Sequence, residues 1–401
     1  MPANTWLQIL VDSYVESEAP QLFFYWSGIA AISAVIRRNV WLDRFTYKLY
    51  PNVYVFIVGK SGVKKGIPVS VIKDIVDIVN VTRVIKGRSS VPAIIRDLSR
   101  AFTLENGSII KNAEGFIVSG ELAASLVKDA DSLSILTDLY NTHENEKQWV
   151  NSLKVSGIDT LLAPCITMLC ATNEENFEAT VPQVDVKNGF IARTFISYSE
   201  DEVKLNSLTQ KPKALVNRKS LAQYLIDIKD TKGEFTWSQK VKDYYDSWYY
   251  PFYKDIASKD DPTGTFHRIG DQILKVAMLV SLSESNSLEL EERHIYEAIT
   301  VCMNCAKSMM KVTMGNGKSP SNYITKIILR DLLTAQGNQL SRKIILSRHW
   351  GEFDKYDLSR SIETLRAFDA IEILGQCEAE HEYKLNQKVI NMYSNFNNKI
   401  N

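Results

Sequence analysis

The sequence predicts an α/β fold: a parallel sheet with helices on both faces, carrying a phosphate-binding turn. Three observations predict it. From residue 52 to about residue 200, short β-rich runs alternate with helical runs, the pattern of strand–helix–strand units. After Asn52, the run Val53-Tyr54-Val55-Phe56-Ile57-Val58 is unbroken by charge, as a strand covered on both faces requires. It leads straight into Gly59-Lys60-Ser61-Gly62-Val63-Lys64-Lys65-Gly66 and then into a helical pattern. Ligands of such sheets sit at the carboxyl ends of strands, where this turn falls.

Residues 1–48 read as an N-terminal helical segment, two helices divided near Ala19-Pro20, the first striped by Leu7, Leu10, Val11 and Tyr14. The second holds the apolar run 22–36 before Arg37-Arg38; it is shorter than the roughly 17 residues of a membrane span, which predicts a buried helix. Residues 49–205 form the sheet core, with strands at 54–58, 83–85, 115–119, 165–171 and 194–198. Residues 206–314 read as an all-helical lid. Its aromatic run, from Tyr244 to Tyr253, places rings all around one helix, which favours packing over base stacking. Cys302 and Cys305 have zinc-like spacing without a second pair and read as core. A glycine-rich linker follows Met314. Residues 319–401 predict a winged-helix module: helices at 323–333, from Ser341 and at 355–368, then strands at 371–374 and 382–385.

A phosphate loop reads G-x-x-x-x-G-K-[ST], because backbone N–H groups of a tight turn and the next helix N-terminus cradle anionic oxygens. Gly59 and Lys65 fall on its first glycine and its lysine. Lys64 stands at the second glycine, displaced in effect to Gly62, and Gly66 replaces the hydroxyl that holds Mg²⁺. Downstream, 115–119 ends in Gly120-Glu121, with glycine where a metal-supporting Asp belongs and Glu121 placed to polarise water. The strand 165–171 ends in Thr172-Asn173, a sensor amide by position, and Arg193 follows Gly189 among apolar residues. Each has a plainer role as well: Glu121 and Asn173 as caps or turn formers, Arg193 as an ion-pair partner. Four such elements in order favour an ATPase core.

At these residues the chain resembles a P-loop ATPase family encoded by phages and mobile elements. Its motif order is distantly similar to hexameric AAA+ replicative helicases of the MCM and superfamily 3 type. The resemblance covers roughly residues 6–282. It implies an AAA+/RecA-like core that uses ATP and Mg²⁺, with Lys65 as phosphate lysine, Glu121 as catalytic acid, Asn173 as sensor and Arg193 as a finger reaching a neighbouring subunit. Arg268 matches a second sensor on the lid. It further implies DNA replication, a ring oligomer, single-stranded DNA as substrate and a primase or polymerase partner, with Lys154 at the tip of a hairpin reaching the DNA.

Composition restrains these readings. Formal net charge is zero, so nucleic-acid contacts must come from local patches, such as Arg83 and Arg88 or, near the end, Arg342, Lys343, Lys355, Arg360 and Arg366. Glu372, Glu378, Glu380 and Glu382 in the expected wing oppose DNA there. Five scattered cysteines suit a reducing cytoplasm, and the resemblance implies that of a bacterial or archaeal host. The alternative function is an assembly scaffold or replication initiator that keeps this fold with weakened turnover.

Overall fold

The computed structural model describes residues 5–86, 89–103, 107, 109–121, 130–142, 147–153, 157–174, 176–177, 189–199, 216–254, 264–313, 320–375, 377 and 380–390. Five runs rich in β-branched and aromatic residues become the parallel strands β1 (Tyr54–Val58), β2 (Arg83–Lys86), β3 (Glu114–Ser119), β4 (Cys165–Thr172) and β5 (Thr194–Tyr198). Their order across the sheet is β5-β1-β4-β3-β2. Pairing puts Tyr198, Val58 and Thr172 side by side, with Cys170 opposite Ser119. All five strands therefore finish near one edge.

Alternation along β1 divides the core. Val55 and Ile57 pack with α1 (Gln21–Ile36) and α2 (Gly66–Val79); Tyr54, Phe56 and Val58 pack with α3 (Val91–Leu98) and α4 (Ala130–Tyr140). The helix after β1 thus lies on one face, and the helices after β2 and β3 on the other. The chain passes from β1 to the far edge, returns to β4, then crosses β1 to β5. This reversal opens a crevice between β1 and β4 at their carboxyl ends.

The apolar run before Arg37 is the buried α1, and among the described residues no helix is long and apolar enough to cross a membrane. The lid departs from its expected all-helical form. Gly233–Trp237 and Glu289–Leu290 are strands, and with Val40–Asp43 and Lys48–Leu49 they make a second sheet. In Gly233–Trp237 only Phe235 is buried, an alternation too short to stand out between helices. This sheet joins the N-terminal segment to the lid, and Met1–Val312 is one compact unit. Tyr245 and Phe252 are buried, Trp248 stacks on Phe252 at 4.9 Å, and Cys302 and Cys305 are buried free thiols, so these positions are packing. Gln148–Leu153 and Gly157–Leu162 pair as the expected hairpin; Lys154 lies outside the described residues.

The second unit, Thr313–Asn401, has its own core around Ile328, Ile345, Leu358, Ile362 and Tyr383. Among its described residues are a helix Pro320–Thr334, the helices Arg342–Arg348 and Lys355–Ala367, and an antiparallel sheet in which Glu382–Leu385 lies between Gln339–Ser341 and Ile371–Leu374.

At the amino edge of the parallel sheet, Lys275 of α5 (Thr265–Glu284) is buried. Its Nζ donates to Asn52 Oδ1 at 2.7 Å and Asn52 O at 3.2 Å, and lies 3.8 Å from the Tyr140 ring centroid. Burial pulls its pKa down to about 7, against the raising influence of Asp271. An unfolded lysine titrates near ~10.4, so between these values the unfolded chain binds more protons and native stability rises with pH. Below pH 7 both states are protonated and the burial cost is fully present. Lys275→Met abolishes this linkage: in urea unfolding, parent stability relative to the variant should climb between pH 7 and 10 and stay level below 7.

Candidate functional site

Val58 ends β1, and Gly59 to Gly66 turn the chain into α2 at the crevice. Gly62 (φ 93°) and Lys64 (φ 53°) are both left-handed. Lys64, at the position of the motif's second glycine, is held left-handed at a cost of about 1–2 kcal/mol for a residue with a Cβ. Lys65 returns to right-handed φ/ψ and begins α2. A left-handed residue followed by a right-handed one aims successive N–H groups into one concavity, an anion nest. The helix N-terminus adds partial positive charge to it.

The loop lysines separate by direction. Lys65 Nζ arches back over the turn, donating to Gly59 O at 2.8 Å and Lys60 O at 2.6 Å. Its ammonium rests on carbonyls of the loop it would serve. Lys64 reaches outward to Glu18, 3.6 Å away. Lys60 and Ser61 are exposed, while Val63 is buried and anchors the turn on the α1 side of the core. A Cβ built at Gly66 or Gly120 meets nothing within 4 Å, so neither glycine is required by crowding.

Strand register gathers the other candidates at this edge. Ser119 lies opposite Cys170, so the exposed Glu121, two residues on, comes level with the end of β4. Ser119 Oγ donates to the Glu121 carbonyl and fixes that turn. Asn173 Oδ1 accepts the Asn176 N–H at 2.7 Å, capping the next turn and leaving its NH₂ as the donor. Glu174, which sequence reasoning missed, receives the Tyr198 hydroxyl at 3.1 Å. This bond spans from β5 to β4 across β1, placing a second carboxylate at the crevice. Its sequence signal was only adjacency to Asn173.

The two arginines lie elsewhere. Arg193 precedes β5 and so sits at the amino edge, opposite the loop. It is buried, donating through Nε to Asn141 Oδ1 at 3.1 Å and through Nη1 to Gly189 O at 2.9 Å. Gly189 is left-handed (φ 80°), and a Cβ there would lie 2.9 Å from Arg193 Nη1. Arg193 is thus packed inside its own subunit instead of projecting as a finger. Arg268 is exposed on the first turn of α5. The helix holds Ala192 O through Gln272 (2.6 Å) and Asn52 through Lys275, which fixes its start at the amino edge. Asn52 to Gly59 spans about 23 Å at ~3.3 Å per residue, so Arg268 does not meet the loop of its own chain.

Arg83 is corrected too. It is buried and donates to the carbonyls of Asp97 and Arg100, closing the end of α3. Burial lowers its pKa, and Asp97 offsets this. Its guanidinium is committed to these carbonyls. Arg88 lies outside the described residues. Among the described residues no group of three or more His, Cys, Asp or Glu side chains forms a metal cluster. Burial lifts the Cys170 thiol on β4 to about 12, which excludes it as a nucleophile.

No family model and no curated protein matches the chain.

The directions of the lysines give a clear expectation. Lys65→Ala should weaken binding of a non-hydrolysable ATP analogue by at least about tenfold, since a charge-assisted contact of ~1.5–3 kcal/mol is lost. Lys64→Gly should retain binding and raise stability by up to about 1 kcal/mol as left-handed strain is relieved. Calorimetric titration and thermal unfolding of the two variants measure both.

Proposed function

We propose that the N-terminal unit is a P-loop ATPase of AAA+-like build with slow turnover. One observation carries the reading: a left-handed residue at the loop's second-glycine position, followed by a lysine folded over the turn at the sheet's switch point. ATP phosphates suit this cradle because the donors already converge and Lys65 Nζ lies over the turn on the carbonyls of Gly59 and Lys60. Crossing from those carbonyls to a phosphate oxygen trades neutral partners for an anion.

Mg²⁺ fits less directly, because glycine occupies both positions where side chains would hold it. Among the described residues, Glu121 and Glu174 bring carboxylates to the edge, and Mg²⁺ keeps several waters when protein ligands are few. When bound with ATP, the metal supplies charge neutralisation between phosphates. The chain's own residues then divide the work: loop N–H groups and Lys65 bind, Asn173 NH₂ and Glu121 orient a water, and Tyr198 holds Glu174 in place. Bonds from Ser119 to the Glu121 carbonyl, from Asn176 N–H to Asn173 Oδ1 and from Tyr198 to Glu174 preset the two turns and one carboxylate, and groups held in advance stabilise developing charge without reorganising.

The resemblance supports placing this activity in phage or mobile-element DNA replication. There the chain acts as a ring on single-stranded DNA, alongside a primase or polymerase. The inward Arg193 favours the second reading at one point: with its finger turned inside, the chain serves as a nucleotide-gated scaffold rather than a motor.

Open space at Gly66 and Gly120 permits a direct test. The double variant Gly66→Ser, Gly120→Asp should raise Mg²⁺-dependent ATP turnover by about tenfold or more, roughly 1.4 kcal/mol of barrier. Phosphate release from parent and variant, with and without a poly-dT oligonucleotide, measures it. No turnover in either protein, with the ATP analogue still bound, supports the scaffold.

A further inference from the structure

The second unit presents an unusual surface. Trp350, in the turn joining α6 (Arg342–Arg348) to α7 (Lys355–Ala367), is 86% exposed, and Tyr356, in the first turn of α7, is 69% exposed. Neither ring is needed by the core, which Ile345, Leu358, Ile362 and Leu365 fill from the same two helices. Arg342 stitches the helix starts together: it is buried and donates to Tyr383 Oη (3.1 Å), Lys355 O (3.2 Å) and Ser359 Oγ (3.0 Å). It is therefore a scaffold residue and not a phosphate contact. The stitch brings the start of α6, with exposed Lys343, against the start of α7, with exposed Lys355, Tyr356 and Arg360.

The charged groups on this surface are engaged unequally. Asp354 and Asp357 keep their charge but turn their oxygens to backbone N–H groups in a capping box at the start of α7, and Glu352 lies on His349 at 3.3 Å. Lys343, Lys355 and Arg360 make no ion pair among the described residues, although Asp354 lies within electrostatic reach of the latter two. Exposed aromatic rings beside cations without ion pairs, with Lys355 Nζ 4.9 Å from the Tyr356 ring centroid, match a polyanion with flat apolar faces. A single-stranded nucleic acid has both, since each phosphate meets a cation and each base offers a face for stacking. An acidic peptide would satisfy the cations and leave the rings idle. A duplex hides its base faces and is broad enough to meet the exposed Glu372, Glu380 and Glu382 of the neighbouring strands.

We propose that the turn between α6 and α7 is a single-stranded nucleic-acid contact, with Trp350 and Tyr356 as stacking platforms and Lys343, Lys355 and Arg360 as phosphate partners. The site belongs to the second unit alone and stands whether or not the first unit hydrolyses ATP.

The test uses the full chain without nucleotide and a fluorescent dT oligonucleotide, read by anisotropy at several salt concentrations. Trp350→Ala with Tyr356→Ala should weaken binding by roughly 10- to 100-fold or more, at about 1–3 kcal/mol per base stacked, with the salt slope unchanged. Trp350→Phe should recover most of that loss, which a merely destabilised fold would not allow. Replacing Lys343, Lys355 and Arg360 by Gln should flatten the log–log salt slope by about two, at ~0.7 per phosphate. Circular dichroism confirms that each variant is folded. Parent-like affinity in both the aromatic and the charge variants overturns the proposal. So does a duplex, or an acidic peptide, that competes as well as the single strand and responds to the same substitutions.

Discussion

Everything at the candidate site depends on β1 being buried on every side. Its five residues are all buried, with β4 and β5 as hydrogen-bonded neighbours and helices on both faces. Each large apolar side chain in such a place contributes about 1.5–3 kcal/mol, so the strand has little freedom to slide. A one-residue slip would also exchange the two faces of the core. Locked register fixes where Val58 ends, and with it the origin of the loop. Reversal of direction between β1 and β4 then leaves the loop at a crevice beside the carboxyl ends of both strands. The place of this turn follows from sheet connectivity before any side chain is considered.

Against that fixed frame, the loop tolerates unusual residues because its backbone is over-determined. Val63 is pinned in the core on one side and α2 begins on the other, so Lys64 is held left-handed despite its Cβ. Such strain persists only where surrounding structure compensates for it. A Cβ at Gly66 or Gly120 meets nothing within 4 Å, so the shape of the turn does not depend on glycine at either place. On the proposed reading, shape and metal support are thereby separable, and phosphate binding is the more robust of the two.

Much of this was legible in the sequence, for physical reasons that also mark the limits. The parallel strands at 54–58, 115–119 and 165–171 were readable because both-face burial writes nearly continuous apolar runs, and Gly59 to Gly66 were readable as a strand-to-helix turn from their glycines. Gly233–Trp237 escaped because a five-residue strand with one buried side chain carries almost no periodicity. Arg193 and Arg83 were misassigned because a sequence names a guanidinium without showing whether it faces water or an internal carbonyl. Glu174 was missed because its significance lies in a bond to Tyr198, 24 residues away, that exists only once β5 has crossed β1. Surface location was likewise illegible: Arg342 and Lys343 are adjacent, yet one is buried structure and the other free charge.

The central claim is that nucleotide phosphates seat at the carboxyl edge between β1 and β4. Hydrogen exchange of the full chain, with and without a non-hydrolysable ATP analogue and Mg²⁺, tests it most directly. Slower exchange confined to peptides covering Gly59 to Gly66 and Thr172 to Glu174, with Asn52 and Arg193 at the opposite edge unaffected, is the result this account predicts. Unchanged exchange across the loop while nucleotide is demonstrably bound, or protection only at the amino edge around Arg193 and Arg268, would contradict it.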